Sequence, residues 1–235
     1  MLVAAAVCPC PPLLVPEVAG GAAHEMDDAR AACYDAIAVL AAARPDRLVV
    51  VGPAAPAGRG RHPGGAVGSF KPFGVDLEVV LGAGEPADRP LPPSLTVGAW
   101  LLGRTEWGAA PVEGLGVAEP LPGDRCAAVG REVAAGPERT ALLVMGDGTI
   151  CRTVKAPGYF DERAAGFDAA AARALGSADV EALLELDEET AYELGASGRA
   201  CWQVLAGAAR GAGLEGHLLY DQAPYGVGYL VASWS

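Results

Sequence analysis

Val3-Ala4-Ala5-Ala6-Val7-Cys8-Pro9-Cys10-Pro11-Pro12-Leu13-Leu14 is an apolar run that stops abruptly at a Cys-Pro-Cys-Pro-Pro turn. Prolines carry no amide donor, so a strand cannot continue through three of them, and two thiols stand where the first buried strand ends. Open α/β sheets place their sites at such strand ends. Working outward, His24 to Ala43 carries Met26, Ala29, Cys33, Ile37 and Leu40 at three- and four-residue spacing, the apolar face of a helix. Arg44-Pro45-Asp46 ends that helix, and Arg47 to Val51 is a short β-branched run suited to a parallel strand buried on both faces. Strand, helix, strand is the βαβ signature. The expected fold is one α/β domain over residues 1–235, with a central, mostly parallel or mixed sheet flanked by helices.

Gly52 to Gly74 is rich in glycine and proline, carries the basic cluster Arg59, Arg61, His62 and Lys71, and lacks apolar periodicity. It reads as a long loop, either a flexible surface insertion or a mobile lid. Val75 to Leu81 reads as a strand, Ser94 as the cap of a short helix through Leu102, and Val112 to Glu119 as another strand. Asp124 to Ala135 is helical, and Thr140 to Met145 is a second buried strand that runs into Gly146-Asp147-Gly148-Thr149-Ile150-Cys151-Arg152. Asp161 and Ser177 are expected to cap two further helices, and Glu188 to Ala212 a helix broken near Gly195 to Gly198. Gly216 to Tyr220 and Gly226 to Ser233 then form a closing strand pair.

Half of the chain, 51%, is hydrophobic, enough for a sizeable core, but much of it is alanine, so the helices must pack closely. A net charge of −12 repels a nucleic-acid backbone and an anionic membrane surface, which leaves small molecules or proteins as partners and is compatible with a homo-oligomer. No apolar run approaches the roughly 18 residues of a membrane span, and the first residues lack a basic region and a small-residue cleavage pattern. The expectation is a cytoplasmic protein. Its six cysteines are scattered and would stay reduced there.

Three groups of residues could carry chemistry. Cys8 and Cys10 share a face if the strand is regular through both. They are metal ligands, reactive thiols or packing residues, and a metal would need further ligands from elsewhere. The segment from Asp147 to Arg152 gathers a carboxylate, a hydroxyl, a thiol (Cys151) and a guanidinium at a strand's carboxyl end, with Asp147 as a ligand, a general base or simply a turn residue. Lys155 and Tyr159 follow as candidate substrate contacts. His24, His62 and His217 form no local metal motif. The phosphate-binding, dinucleotide-binding and nucleophile-elbow glycine patterns are missing as well.

In order, Ala6 to Leu14, Leu48-Val49-Val50-Val51-Gly52-Pro53, Gly146-Asp147-Gly148 and Tyr225-Gly226-Val227-Gly228-Tyr229 resemble the LigB-like class III extradiol dioxygenase superfamily, which includes the Memo proteins. The resemblance implies a single α/β domain and, in active enzymes, a non-haem ferrous centre that binds a catecholate and dioxygen. Where the family has its first metal histidine this chain has Cys10. The second follows a Ser-Pro, and here the chain reads Gly52-Pro53-Ala54. The base histidine has no counterpart among Thr149, Ile150 and Cys151, and no acid, Asp221 included, aligns securely with the third ligand.

Two readings follow. In the first, the chain has lost the iron-dependent ring-cleavage site and binds a small ligand or a protein partner. In the second, it is a metal- or thiol-dependent, dioxygenase-like oxidoreductase with a rebuilt site. Cys10 and Asp147 would then do the chemistry, Lys155 and Tyr159 would contact substrate, and Cys8, Cys10 and Cys151 would offer a divalent metal or copper a softer site than ferrous iron requires.

Overall fold

In the computed structural model, which describes residues 1–235, β1 (Leu2–Cys8) sends Leu2, Ala5 and Val7 into one core layer and Ala4, Ala6 and Cys8 into the other. A strand buried on both faces needs helices on both sides. The elements that follow are α1 (Pro16–Ala19), α2 (Asp27–Ala42), β2 (Arg47–Pro53), β3 (Gly60–His62), β4 (Val67–Ser69), β5 (Glu78–Val80), α3 (Pro93–Arg104) and β6 (Val112–Val117). Then come α4 (Gly123–Val133), β7 (Thr140–Met145), α5 (Arg163–Gly176), α6 (Val180–Leu184), α7 (Glu188–Glu193), α8 (Arg199–Ala209), β8 (Gly216–Gln222) and β9 (Tyr229–Trp234).

Seven strands form one mixed sheet in the order β3-β6-β2-β7-β1-β9-β8. The central four, β6, β2, β7 and β1, are parallel, and antiparallel strands flank them on both sides. The α/β fold with a mixed central sheet is therefore as expected from the sequence. α2 and α3 cover one face; α4 to α8 cover the other around Trp202 and Trp234. Alanine and glycine permit the close helix packing that composition demanded. A Cβ on Gly130 of α4 would lie 2.0 Å from the Val204 carbonyl oxygen, and one on Gly207 of α8 would lie 2.3 Å from that of Ala127. No helix is long and apolar enough to cross a membrane.

Several local expectations are corrected. Gly52 to Gly74 is not one loose loop: β2 extends to Pro53, β3 pairs with β6, and β4 pairs with β5 in a small hairpin sheet against α3. Backbone pairing holds this insertion where its side chains supply no apolar pattern. Ser94 is not the cap of α3, which starts after Pro92; its hydroxyl donates instead to the Pro53 carbonyl, 2.7 Å away, and ties the helix to the end of β2. Asp179, rather than Ser177, caps α6 by accepting the Ala182 amide at 3.0 Å.

Candidate functional site

Because β6, β2, β7 and β1 run parallel, their carboxyl ends lie along one edge of the sheet. Two residues beyond Cys8, Met145 and Gly52, at the ends of these strands, stand three residues of the sheet's carboxyl edge. They are Cys10, Asp147 and Ala54. Tyr229 opens β9, which runs antiparallel beside β1, and belongs to the same core layer as Cys10. Cys10, Asp147 and Ala54 form a row across the place where open sheets bind ligands, and Tyr229 stands beside it.

A main-chain bond joins the row: the Cys10 amide donates to Asp147 Oδ1 at 2.8 Å. The Gly146 amide donates to the Cys8 carbonyl at 3.0 Å, and Gly198 donates to that of Asp147 at 2.8 Å, so both turns are fixed. Ser197 Oγ accepts the Asp147 amide at 3.3 Å. The Asp147 side chain forms no ion pair and takes no hydrogen bond besides that of Cys10. It is half-buried, and desolvation pushes its carboxyl up to about 7, with the Cys10 N–H opposing part of that rise. The Cys10 thiol is raised well above its ordinary range by burial and then by the Asp147 charge. Tyr229 is raised by burial and then by Asp147.

Other candidate residues are not brought to this row. Cys8 is fully buried under α2, where its thiol adjoins Cys33. Cys151 lies in the opposite core layer, with its sulfur 3.6 Å from the carbonyl oxygens of Gly158 and Leu194. No three side chains of His, Cys, Asp or Glu are grouped to hold a metal, so the expected soft site of Cys8, Cys10 and Cys151 is corrected. The two-residue spacing of the first pair does put both on one face, but Cys8 is sealed inside it. Lys155 and Tyr159 are exposed, and neither side chain bonds to Cys10 or Asp147. Tyr159 is a non-glycine residue at φ +62°, turned out into solvent at 67% exposure.

Asp168 explains why the chain leaves the row after Gly148. Its carboxylate accepts the Thr149 amide at 2.8 Å, the Thr149 hydroxyl at 2.9 Å and the Arg152 guanidinium at 2.9 Å. The Gly148 and Gly228 backbones pack directly on it, where added Cβ atoms would lie 2.6 Å and 2.3 Å from its oxygens. This fully buried group draws Thr149 to Arg152 toward α5 and carries Cys151, Lys155 and Tyr159 with them. Sequence reasoning passed over Asp168, yet it stands among Ala164, Ala171, Ala172 and Leu175 at helical spacing, where an apolar residue belongs. Tyr229 closes the Tyr225-Gly226-Val227-Gly228-Tyr229 stretch, whose glycines mark a turn at the sheet's end.

The family's ferrous centre does not fit these residues. An imidazole–carboxylate set is required, and the row offers one thiol, one methyl and one carboxylate. His24 and His217 are exposed and neither bonds to Cys10 or Asp147, and His62 is buried on β3 at the edge of the sheet.

No family model matches the chain, and no curated protein matches it. Among solved structures it is similar to an uncharacterized protein, JW3007, from Escherichia coli K12, with a TM-score of 0.53 at 16% identity over 99% of each chain. At that identity the likeness concerns the fold alone.

Proposed function

We propose that this chain is a divergent relative of the LigB-like class III extradiol dioxygenases whose strand-end site no longer holds iron and instead binds a small ligand or a protein partner. The observation that carries this reading is the donor set at the ends of β1, β2 and β7, namely Cys10, Ala54 and Asp147. A methyl donates nothing to a metal, and a thiol raised well above its usual range is protonated near neutral pH, a poor ligand and a poor nucleophile. Asp147 is the group with capacity to spare. One oxygen accepts the Cys10 amide and the other has no partner in the protein, so it can accept a hydrogen bond as carboxylate or donate one as acid.

Oxygen uptake with catechol and added ferrous iron tests the loss of ring cleavage. The expected rate equals that of iron and catechol alone, and protein-dependent uptake that Asp147→Asn removes defeats the proposal. The binding role is read by amide NMR with a small-molecule fragment set, in which shifts at Cys10, Gly148 and Tyr229 are expected for the wild type and are lost in Asp147→Asn. A rebuilt enzyme is the second reading, favoured by an Asp147 carboxyl that changes charge near neutrality, where a general acid or base is most effective. It would rest on Asp147 and not on thiolate or thiol-bound metal chemistry.

A further inference from the structure

β3 lies at one end of the sheet, is three residues long and is paired on one side only, with β6. Its last residue, His62, is only 1% exposed. The imidazole Nε2 lies 2.8 Å from the Gly58 carbonyl oxygen and must donate to it, so the neutral ring carries its proton on Nε2. Nδ1 is buried and has no partner. Bare, Nδ1 leaves one lone pair unpaired; protonated, it would be a buried donor without an acceptor and would carry a charge as well, which costs more.

The charged surroundings point the same way. Arg89, from the segment between β5 and α3, spans β3 by donating to the carbonyls of Arg59 and Arg61, which brings a guanidinium close to the ring. β6 offers Gly114 opposite His62, and Leu81 and Leu95 crowd the same spot. Glu113 of β6 is committed to Arg61 and Arg47, and no carboxylate pairs with His62. On its own segment His62 is flanked by Arg59 and Arg61. Burial, then Arg89, accordingly holds the imidazole below its ordinary range, the Gly58 bond opposing.

What His62 holds is the turn beside the candidate site. Gly58 packs on Pro92 and Ala54, and its carbonyl oxygen lies so close to Gly116 that a Cβ there would come within 2.1 Å of it. Ala54 ends the row of strand-end residues and is nearly sealed by this turn at 5% exposure. We propose that β3 and the Ala55 to Gly58 turn form an acid-released flap over the end of β2, with His62 as the group that senses the proton. Protonation adds a charge and a second buried donor beside Arg89, a cost that the strengthened Gly58 bond does not offset, and the flap opens to hydrate the ring.

The direction follows from linkage. An imidazole in the open flap protonates at about 6.5 and one in the closed flap at a lower pH, so closure is fully favoured above about 6.5 and weakens as pH falls below it. Between about pH 7.5 and about pH 5.5 the open form gains by up to about ten-fold. Native-state hydrogen exchange reads this as protection factors for Gly58 and the β3 amides, corrected for the intrinsic effect of pH. The wild type should lose protection over that interval, whereas His62→Gln, which keeps a donor for Gly58 and cannot gain a charge, should not. Unchanged wild-type protection, or an equal loss in the variant, overturns the proposal. Should the variant not fold, wild-type NMR decides: the His62 ring must titrate below the ordinary imidazole value of about 6.5 and the Gly58 amide must lose protection over the same interval, and titration at or above that value, or protection that does not follow it, overturns the proposal. Neither outcome depends on whether a ligand binds at Asp147.

Discussion

Asp147 and Asp168 stand at opposite sides of one turn, and the chain treats the two carboxylates differently. Asp168 has Arg152 for its charge and both the amide and hydroxyl of Thr149 for its oxygens. Asp147 has one main-chain amide and no cation. Burial raises both, but at Asp168 the Thr149 and Arg152 contacts pull back against it, whereas at Asp147 only the Cys10 amide does. A carboxylate with both oxygens engaged and its charge paired is part of the scaffold. One left short of partners at the end of a parallel sheet is available to a ligand, and that contrast distinguishes architecture from site here.

The largest effect is expected where the scaffold carboxylate is removed. Asp168→Ala leaves Arg152 and the Thr149 donors unpaired beneath α5 and should lower stability by about 3 kcal/mol, measured by urea unfolding. A loss no greater than that of Asp147→Asn would erase the distinction between the two groups. The next effect concerns pH. The folded-state carboxyl of Asp147 lies at about 7, above its unfolded value, so its contribution to stability is full below about 4 and is lost as pH rises toward about 7. Asp147→Asn should flatten that slope in unfolding midpoints, while a slope unchanged in the variant would assign it to other groups. The smallest effect is at Cys10. Its link to Asp147 is through the backbone amide, so Cys10→Ala should cost about 1 kcal/mol and leave the Asp147 slope in place. Disappearance of the slope would mean that the thiol, not the amide, controls the carboxyl.

The sheet was legible because its strands announce themselves. Leu2 to Cys8, Arg47 to Pro53 and Thr140 to Met145 are buried on both faces, and such strands read as short continuous apolar runs bounded by turn residues. The insertion after β2 reads as a loop because β3 and β4 are three residues each, too short for any periodicity, and are held by pairing with β6 and β5. Cys10 and Asp147 could be located from the proline and glycine turns that stop their strands. What local sequence could not carry was the direction of the chain afterwards. Arg152, Thr149 and Asp168 meet across 19 residues, and that contact sends Cys151, Lys155 and Tyr159 away from the row they were expected to join.

Anaerobic titration calorimetry of ferrous iron into the purified, untagged protein tests the account most directly. The row of Cys10, Ala54 and Asp147 predicts no saturable one-to-one binding, with wild type and Asp147→Asn giving the same heats. Stoichiometric binding by the wild type that the variant abolishes would contradict it and restore the metal centre to the ends of these strands.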